Sequence, residues 1–563
     1  MGLTERLAGL YPLTTDPGYE FRRAVRFLGV SADPADVLAA GYTLSGVVAV
    51  AVGAVALLCP PALRQAVLLA AVAAGLAGTY VAARLPVLLA TALRTRTLGA
   101  APDLVARAAL RMRVEPAPER AAAFAGEGEG RLADSLRRHV RASRSSGETG
   151  LESFAAEWEE WFPSLGRALA LVEAAGSVPA KRRGDLLDRA LGAVLDGVRE
   201  RTQAYATSVT TPATALYAFG VLLPTALVAL LPAARTAGLA VTPLSVAVVY
   251  DLLVPAVVVA AGAWLLAHRP VAFPPPPVGL SHPSIDDRTG AQLALLVGGC
   301  GAVAGWLVAS RLAPGWAPPL VALGWGVGPV LWLLTRPVLA VHERVAAAER
   351  ELPDALALLG RRVAAGESVE RATGAAAAEV GGPLGNCLGA AAGRQRRLGV
   401  GIETALVGED GALDRLPSRR LAASLSMVAL AGREGRPAGG ALLSLADHVA
   451  QLRRVEADAR AELDSLCGTL RSTGSAFGPL VAGATVALAA GMTGQGFLGG
   501  AGMPWLGGVV GVYVVQLAVL LPALAVGLER GFDPALVGHA VGKALPVAVT
   551  VYLGSYVLVA GVA

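Results

Sequence analysis

Two polar side chains stand inside otherwise apolar runs: Asp251 in VAVVYDLLVPAV and Gln516 in VYVVQLAVLLP, each followed by a proline, Pro255 and Pro522. An ionised carboxylate at the centre of a bilayer costs about 3 kcal/mol or more, so Asp251 must face other helices or water, or keep its proton. The pair reads as a polar contact that fixes helix packing, or as a device for handling a substrate helix. Patterns for other chemistry are missing. GHAVGKAL (538–545) is the nearest string to a phosphate-binding loop, but Ala544 follows Lys543 and Val537 holds the first glycine position. The six histidines are scattered, with no H-E-x-x-H pair, and there is no G-x-S-x-G elbow. His342 and Glu343, being adjacent, point about 100° apart on a helix and read as solvated residues below a span. Cys59, Cys300, Cys387 and Cys467 have no paired spacing. No catalytic centre, metal or cofactor is expected, and the chain reads as a non-enzyme.

The remaining chemistry is basic and exposed. Arg361 with Arg362, the RQRR run (Arg394, Arg396 and Arg397), Arg419 with Arg420, and Arg137 with Arg138 and Arg141 form clusters. A guanidinium presents a planar set of donors that suits carboxylates, so these clusters are the places to look for a protein partner. Lys181 and Lys543 are the only lysines.

The elements that must position these groups are membrane spans. With 54% hydrophobic and 16% charged residues and a mean hydropathy of +0.56, much of the chain must face lipid. An apolar helix of about 20 residues crosses the hydrocarbon layer. Runs of that length lie near 37–58, 66–89, 209–233, 240–267, 291–310, 318–341, 474–493, 505–528 and 545–563. Basic residues near span ends stay on the cytoplasmic side. Arg22, Arg23 and Arg26, then Arg269 and Arg288, then Arg530 and Lys543 all fall there if the N-terminus is inside, while the opposite loops hold only Arg64, Arg235 and Arg311. The nine spans then leave the C-terminus outside. The net charge of +5 follows from this asymmetry and requires no nucleic acid.

The expected class is therefore all-α, polytopic, with two cytoplasmic helical-bundle domains. The order is an N-terminal cytoplasmic segment (1–36), a span pair (37–90), a first domain (91–207), a second pair (208–267), a proline-rich linker (268–290), a third pair (291–341), a second domain (342–473) and three final spans (474–563). The halves read as parallel copies. APDLVARAALRM (101–112) matches LPDALALLGRRV (352–363), with Pro102 and Pro353 suited to a first helical turn and Asp103 and Asp354 to the positive end of a helix dipole. Farther on, ALALVEAAGSVPAKRRGDLL (168–187) aligns with SLSMVALAGREGRPAGGALL (424–443) without a gap. Each domain ends in a long helix running towards the next span. In the second, Leu442, Leu445, Val449, Leu452, Ala459, Leu463, Leu466 and Leu470 recur at helical spacing as a bundle seam, with Glu456 its one polar break.

ERELPDALALLGRRVAAGESVERAT (349–373) followed by SMVALAGREGRPAGGALLSLADHVAQLRR (426–454) resembles the type II secretion F domain family, with Gly432, Glu434 and Gly435 at its helix corner. Two such domains and about nine spans look like the archaeal platform proteins of type IV pili and of the archaellum. The resemblance implies a non-enzymatic platform in the cell membrane. Its implied partners are a separate hexameric secretion ATPase, pilin subunits, the lipid bilayer and other copies of itself. Arg361, Arg362, Arg394, Arg396, Arg397 and Glu434 are then the docking candidates for the ATPase. The alternative is a transporter or channel with cytoplasmic regulatory domains, which would need more polar residues at the membrane midplane than Asp251 and Gln516.

Overall fold

The computed structural model describes all residues except 1–2, 59, 129, 144–148, 240, 270–277, 279–286, 409–410, 435–436, 495–502 and 563. Side chains of a few further stretches, 429–438 among them, are likewise outside the description. Most of the proline-rich linker and the corner residue Gly435 fall there, as does the side chain of Glu434. The described residues contain helices and no strand, and nine helices are long and apolar enough to cross a membrane. This is compatible with a multi-pass membrane protein. Their outward faces carry leucine, valine and aromatic side chains, as a lipid-facing surface requires.

Several of these helices do not stop at the membrane. Ala180–Tyr217 and Pro437–Ser472, the first and second struts, lead through π turns (Ala218–Leu222 and Thr473–Phe477) into Leu223–Val228 and Gly478–Gly494. Ala317–Ala364 is a single helix of 48 residues with Pro329, Pro337 and Pro353 inside it. Here the structure departs from the sequence reading. Pro102 does occupy the first turn of Ala101–Val114, but Pro353 lies in the interior of a continuous helix. Proline removes one i→i−4 bond and crowds the carbonyl four residues back. Three residues before it, the Arg350 carbonyl accepts from Arg453 Nη1 on the second strut at 2.8 Å, which ties the two helices together beside the proline.

Among the described residues three large hydrophobic cores form, with two small clusters beside them. One gathers Leu98, Met112, Phe154, Trp158 and Leu187. A second gathers Leu352, Leu356, Leu388, Leu425 and Leu442. The third lies among apolar helices around Val209, Tyr250, Tyr513, Leu517 and Tyr552. The first two are not sealed from each other, because Leu110 packs into the second core and Val455 into the first. The reason is that the two struts pack side by side, with Ala101–Val114 against the second. The expected seam on the second strut is buried at Leu442, Leu445, Val449, Leu452, Leu463 and Leu470.

Candidate functional site

Three sets of polar residues are candidates, and they lie at different levels along the struts. The middle one was the least expected. Glu456, the polar break in the seam, is buried, and Arg420 at the start of Arg419–Glu434 is largely covered, its side chain 10% exposed. Sequence reading placed Arg420 on an exposed cluster, whereas only Arg419 is exposed. The helix turns Arg420 inward, where its Nη2 donates to Glu456 Oε1 at 2.5 Å and its Nη1 to Glu456 Oε2 at 3.2 Å. Glu349 Oε2, on the 48-residue helix, lies 3.7 Å from Nη1, and its other oxygen accepts from Ser418 Oγ. Ser418 Oγ also caps the Leu421 amide. Burial would lower the Arg420 pKa, but Glu456, Glu349 and Asp103 together outweigh it and raise it. Asp103, from the first turn of Ala101–Val114, has its carboxyl pushed up by burial against the pull of Arg420. His448, about two helical turns along the seam from Glu456, is pushed down to about 4 by burial and by Arg420. A two-pronged guanidinium–carboxylate pair thus sits where three helices meet.

The second set is in the apolar layer. Asp251 lies within a π turn, Val248–Leu253. A π turn inserts one residue into the helix and displaces the backbone ladder, leaving a carbonyl without its usual partner. Gln516 Nε2 donates to the Asp251 carbonyl at 3.1 Å. The two residues singled out by sequence therefore do meet, through the Asp251 backbone, while Asp251 Oδ1 is buried without a hydrogen bond. Tyr513 OH donates to Gly220 O, inside the π turn that follows the first strut, and Tyr250 OH donates to Pro224 O at 2.8 Å. The two tyrosine rings pack edge to face at 5.8 Å. Nothing in the sequence marked these tyrosines, because a tyrosine in an apolar run reads equally well as core or as membrane-interface residue.

The third set is the arginine face. Arg361 and Arg362 occupy the last turn of Ala317–Ala364, about 30 Å along the helix from the end of its apolar run. A hairpin of Val369–Val380 and Gly382–Leu398 follows, its turn made by Gly381 and Gly382 at φ +65° and +57°, backbone that favours glycine. The second helix of the hairpin starts beside Glu351, whose Oε2 accepts from the Leu384 amide at 3.0 Å, and carries Arg396 and Arg397 in its last turn. Arg361, Arg396 and Arg397 are exposed, and Arg394 is half-buried. Arg362 is bound within the domain, to Glu367 at 3.3 Å and Glu379 at 3.2 Å. His342, expected to be solvated, is buried, with Nε2 3.7 Å from Asp533 Oδ2. The loop before Pro534–Val562 folds over it.

No family model matches this chain, and no curated protein or solved structure is detectably similar to it.

Proposed function

We propose that this chain is a non-enzymatic platform in the cell membrane, built from two parallel copies of one helical unit, that couples a separate secretion ATPase in the cytoplasm to the movement of pilin-like subunits out of the bilayer. The N-terminus and both helical domains lie inside, and the C-terminus outside. One observation carries the reading. The struts run without a break from a soluble core into the membrane, and Ser444 Oγ on the second donates to Asp188 Oδ1 on the first at 3.2 Å. These are the positions that follow directly when 168–187 is aligned with 424–443, so equivalent points of the two stretches face each other, as they would across a local two-fold axis. A force applied at the distal ends of two such struts is delivered at the π turns, where helices yield most readily.

The exposed arginines at the distal end are the surface for the ATPase. Reversing Arg361, Arg396 and Arg397 together to glutamate sets like charges across the interface at a cost of several kcal/mol. Co-purification of the ATPase and surface filaments should both fall at least tenfold, at unchanged membrane abundance. Wild-type levels of both would refute the docking surface.

A further inference from the structure

The last helix, Pro534–Val562, follows the two units and has no partner in the first. It packs along Ala317–Ala364 and Gly478–Gly494, closely enough that glycine is required. A Cβ at Gly324 would meet Val549 at 2.5 Å, one at Gly328 would meet Pro546 at 2.4 Å, and one at Gly483 would meet Ser555 at 2.0 Å. Trp325 Nε1 also donates to Thr550 Oγ1 at 2.9 Å. Small residues that admit close backbone approach are the ordinary glue of helices in lipid.

The equivalent place in the first unit can be read off by register. Pro86-Val87-Leu88 corresponds to Pro337-Val338-Leu339 at the same separation that relates Pro102 to Pro353, so Gly328 corresponds to Ala77. Gly328 is buried; Ala77 is exposed, flanked by Leu76 at 67% and Tyr80 at 60% exposure. The opposite wall behaves the same way. Continuing the register that pairs Asp188 with Ser444 sets Leu227 at the place of Gly483, the glycine packed on Ser555; Gly483 is buried and Leu227 exposed. Val254–His268 packs against both Pro61–Leu98 and the Ala218–Leu222 turn and forms the floor.

We infer that this lateral cleft of the first unit is the seat for one membrane-spanning helix of a second protein, in the place that Pro534–Val562 fills in the other unit. The inference rests on the two-copy reading. Lipid-exposed leucine alone would carry nothing; the filled counterpart identifies an apolar helix as the occupant. The substitutions also set its strength. Alanine and leucine stand where the other unit has Gly328 and Gly483, so the visiting helix stays farther from the walls than the resident one and makes fewer backbone contacts. Such a seat is releasable, as a platform passing subunits one at a time requires.

A photo-activated benzoylphenylalanine placed at Ala77, Leu227 or, as control, the outward-facing Leu293 of the full chain in its own cells tests this. Adducts identified by mass spectrometry at Ala77 and Leu227 should be a protein with a single span, at least fivefold over Leu293. Filling the cleft with Ala77→Trp and Leu227→Trp should reduce the same adduct from a probe at Tyr80 at least tenfold without moving the thermal midpoint. Equal labelling at the three sites, or adducts only with a second copy of this chain, overturns the cleft. A single-span protein that is not a filament subunit leaves the cleft standing and sinks the platform reading. No adduct alongside intact ATPase co-purification does the reverse.

Discussion

The polar centre between the helical cores and the one within the apolar layer solve the same problem with different groups. Between the cores, a guanidinium and two carboxyl groups, Arg420, Glu456 and Glu349, are paired to each other. In the apolar layer the donors are neutral, two phenols and an amide, and what they satisfy is backbone: the carbonyls of Gly220, Pro224 and Asp251. Charge can be buried where partners from three helices converge on it, because losing water is offset by a bidentate pair. In hydrocarbon the cheaper arrangement keeps ions out and uses side chains on backbone carbonyls in or just beyond π turns.

The comparison breaks most visibly at Glu456. Glu456→Ala leaves Arg420 buried without its main partner and should destabilise the purified protein by about 3–5 kcal/mol in thermal or denaturant unfolding. Replacing both Arg420 and Glu456 with leucine should cost much less than the single change, because no charge is then stranded. A double variant as unstable as Glu456→Ala would show that the pair contributes more than mutual neutralisation.

Acid separates the two centres next. His448 has a pKa of about 4 in the fold against about 6.5 unfolded, so the unfolded chain gains a proton first as pH falls. Its contribution is present above about pH 6.5 and is lost progressively down to about 4, on the order of 3 kcal/mol at most. Asp103 acts with the opposite sign, since its raised pKa favours the fold as pH falls. Stability measured between pH 7 and 4.5 should drop in the wild type and drop less in His448→Gln. Identical slopes would remove His448 from the account.

Smaller effects belong to the membrane centre. Tyr513→Phe strands the Gly220 carbonyl and should cost about 1–2 kcal/mol. Gln516→Leu removes a single amide donor and should cost about 0.6 kcal/mol, a typical value for one hydrogen bond between membrane helices. If Gln516→Leu proves the costlier of the two, the Asp251 turn rather than the tyrosine pair dominates.

How far this was legible in sequence differs between the two centres as well. Apolar length alone located the spans, since Pro243–His268 and Leu506–Arg530 fall close to the runs at 240–267 and 505–528. Periodicity located the seam of the second strut and flagged Glu456 as its exception. It could not supply Arg420, because the partner lies 36 residues away and a local Arg-Arg pair looks like a solvated face. Pro353 misled for a related reason: a local rule favours a helix start, whereas packing against the second strut holds the helix continuous through the proline. The π turns left no trace in hydropathy, because one inserted residue changes backbone pairing without changing composition. Asp251 and Gln516 stood out as polar, but their link runs through a main-chain carbonyl, which no side-chain pattern encodes.

The Ser444–Asp188 contact has an evolutionary consequence under the two-copy reading. In a dimer of identical chains, any residue on the symmetry axis must face itself, so an aspartate there would oppose an aspartate. Joining both copies in one polypeptide releases that constraint, since each axial position mutates on one side only. The serine facing Asp188 turns a self-repelling pair into a hydrogen bond.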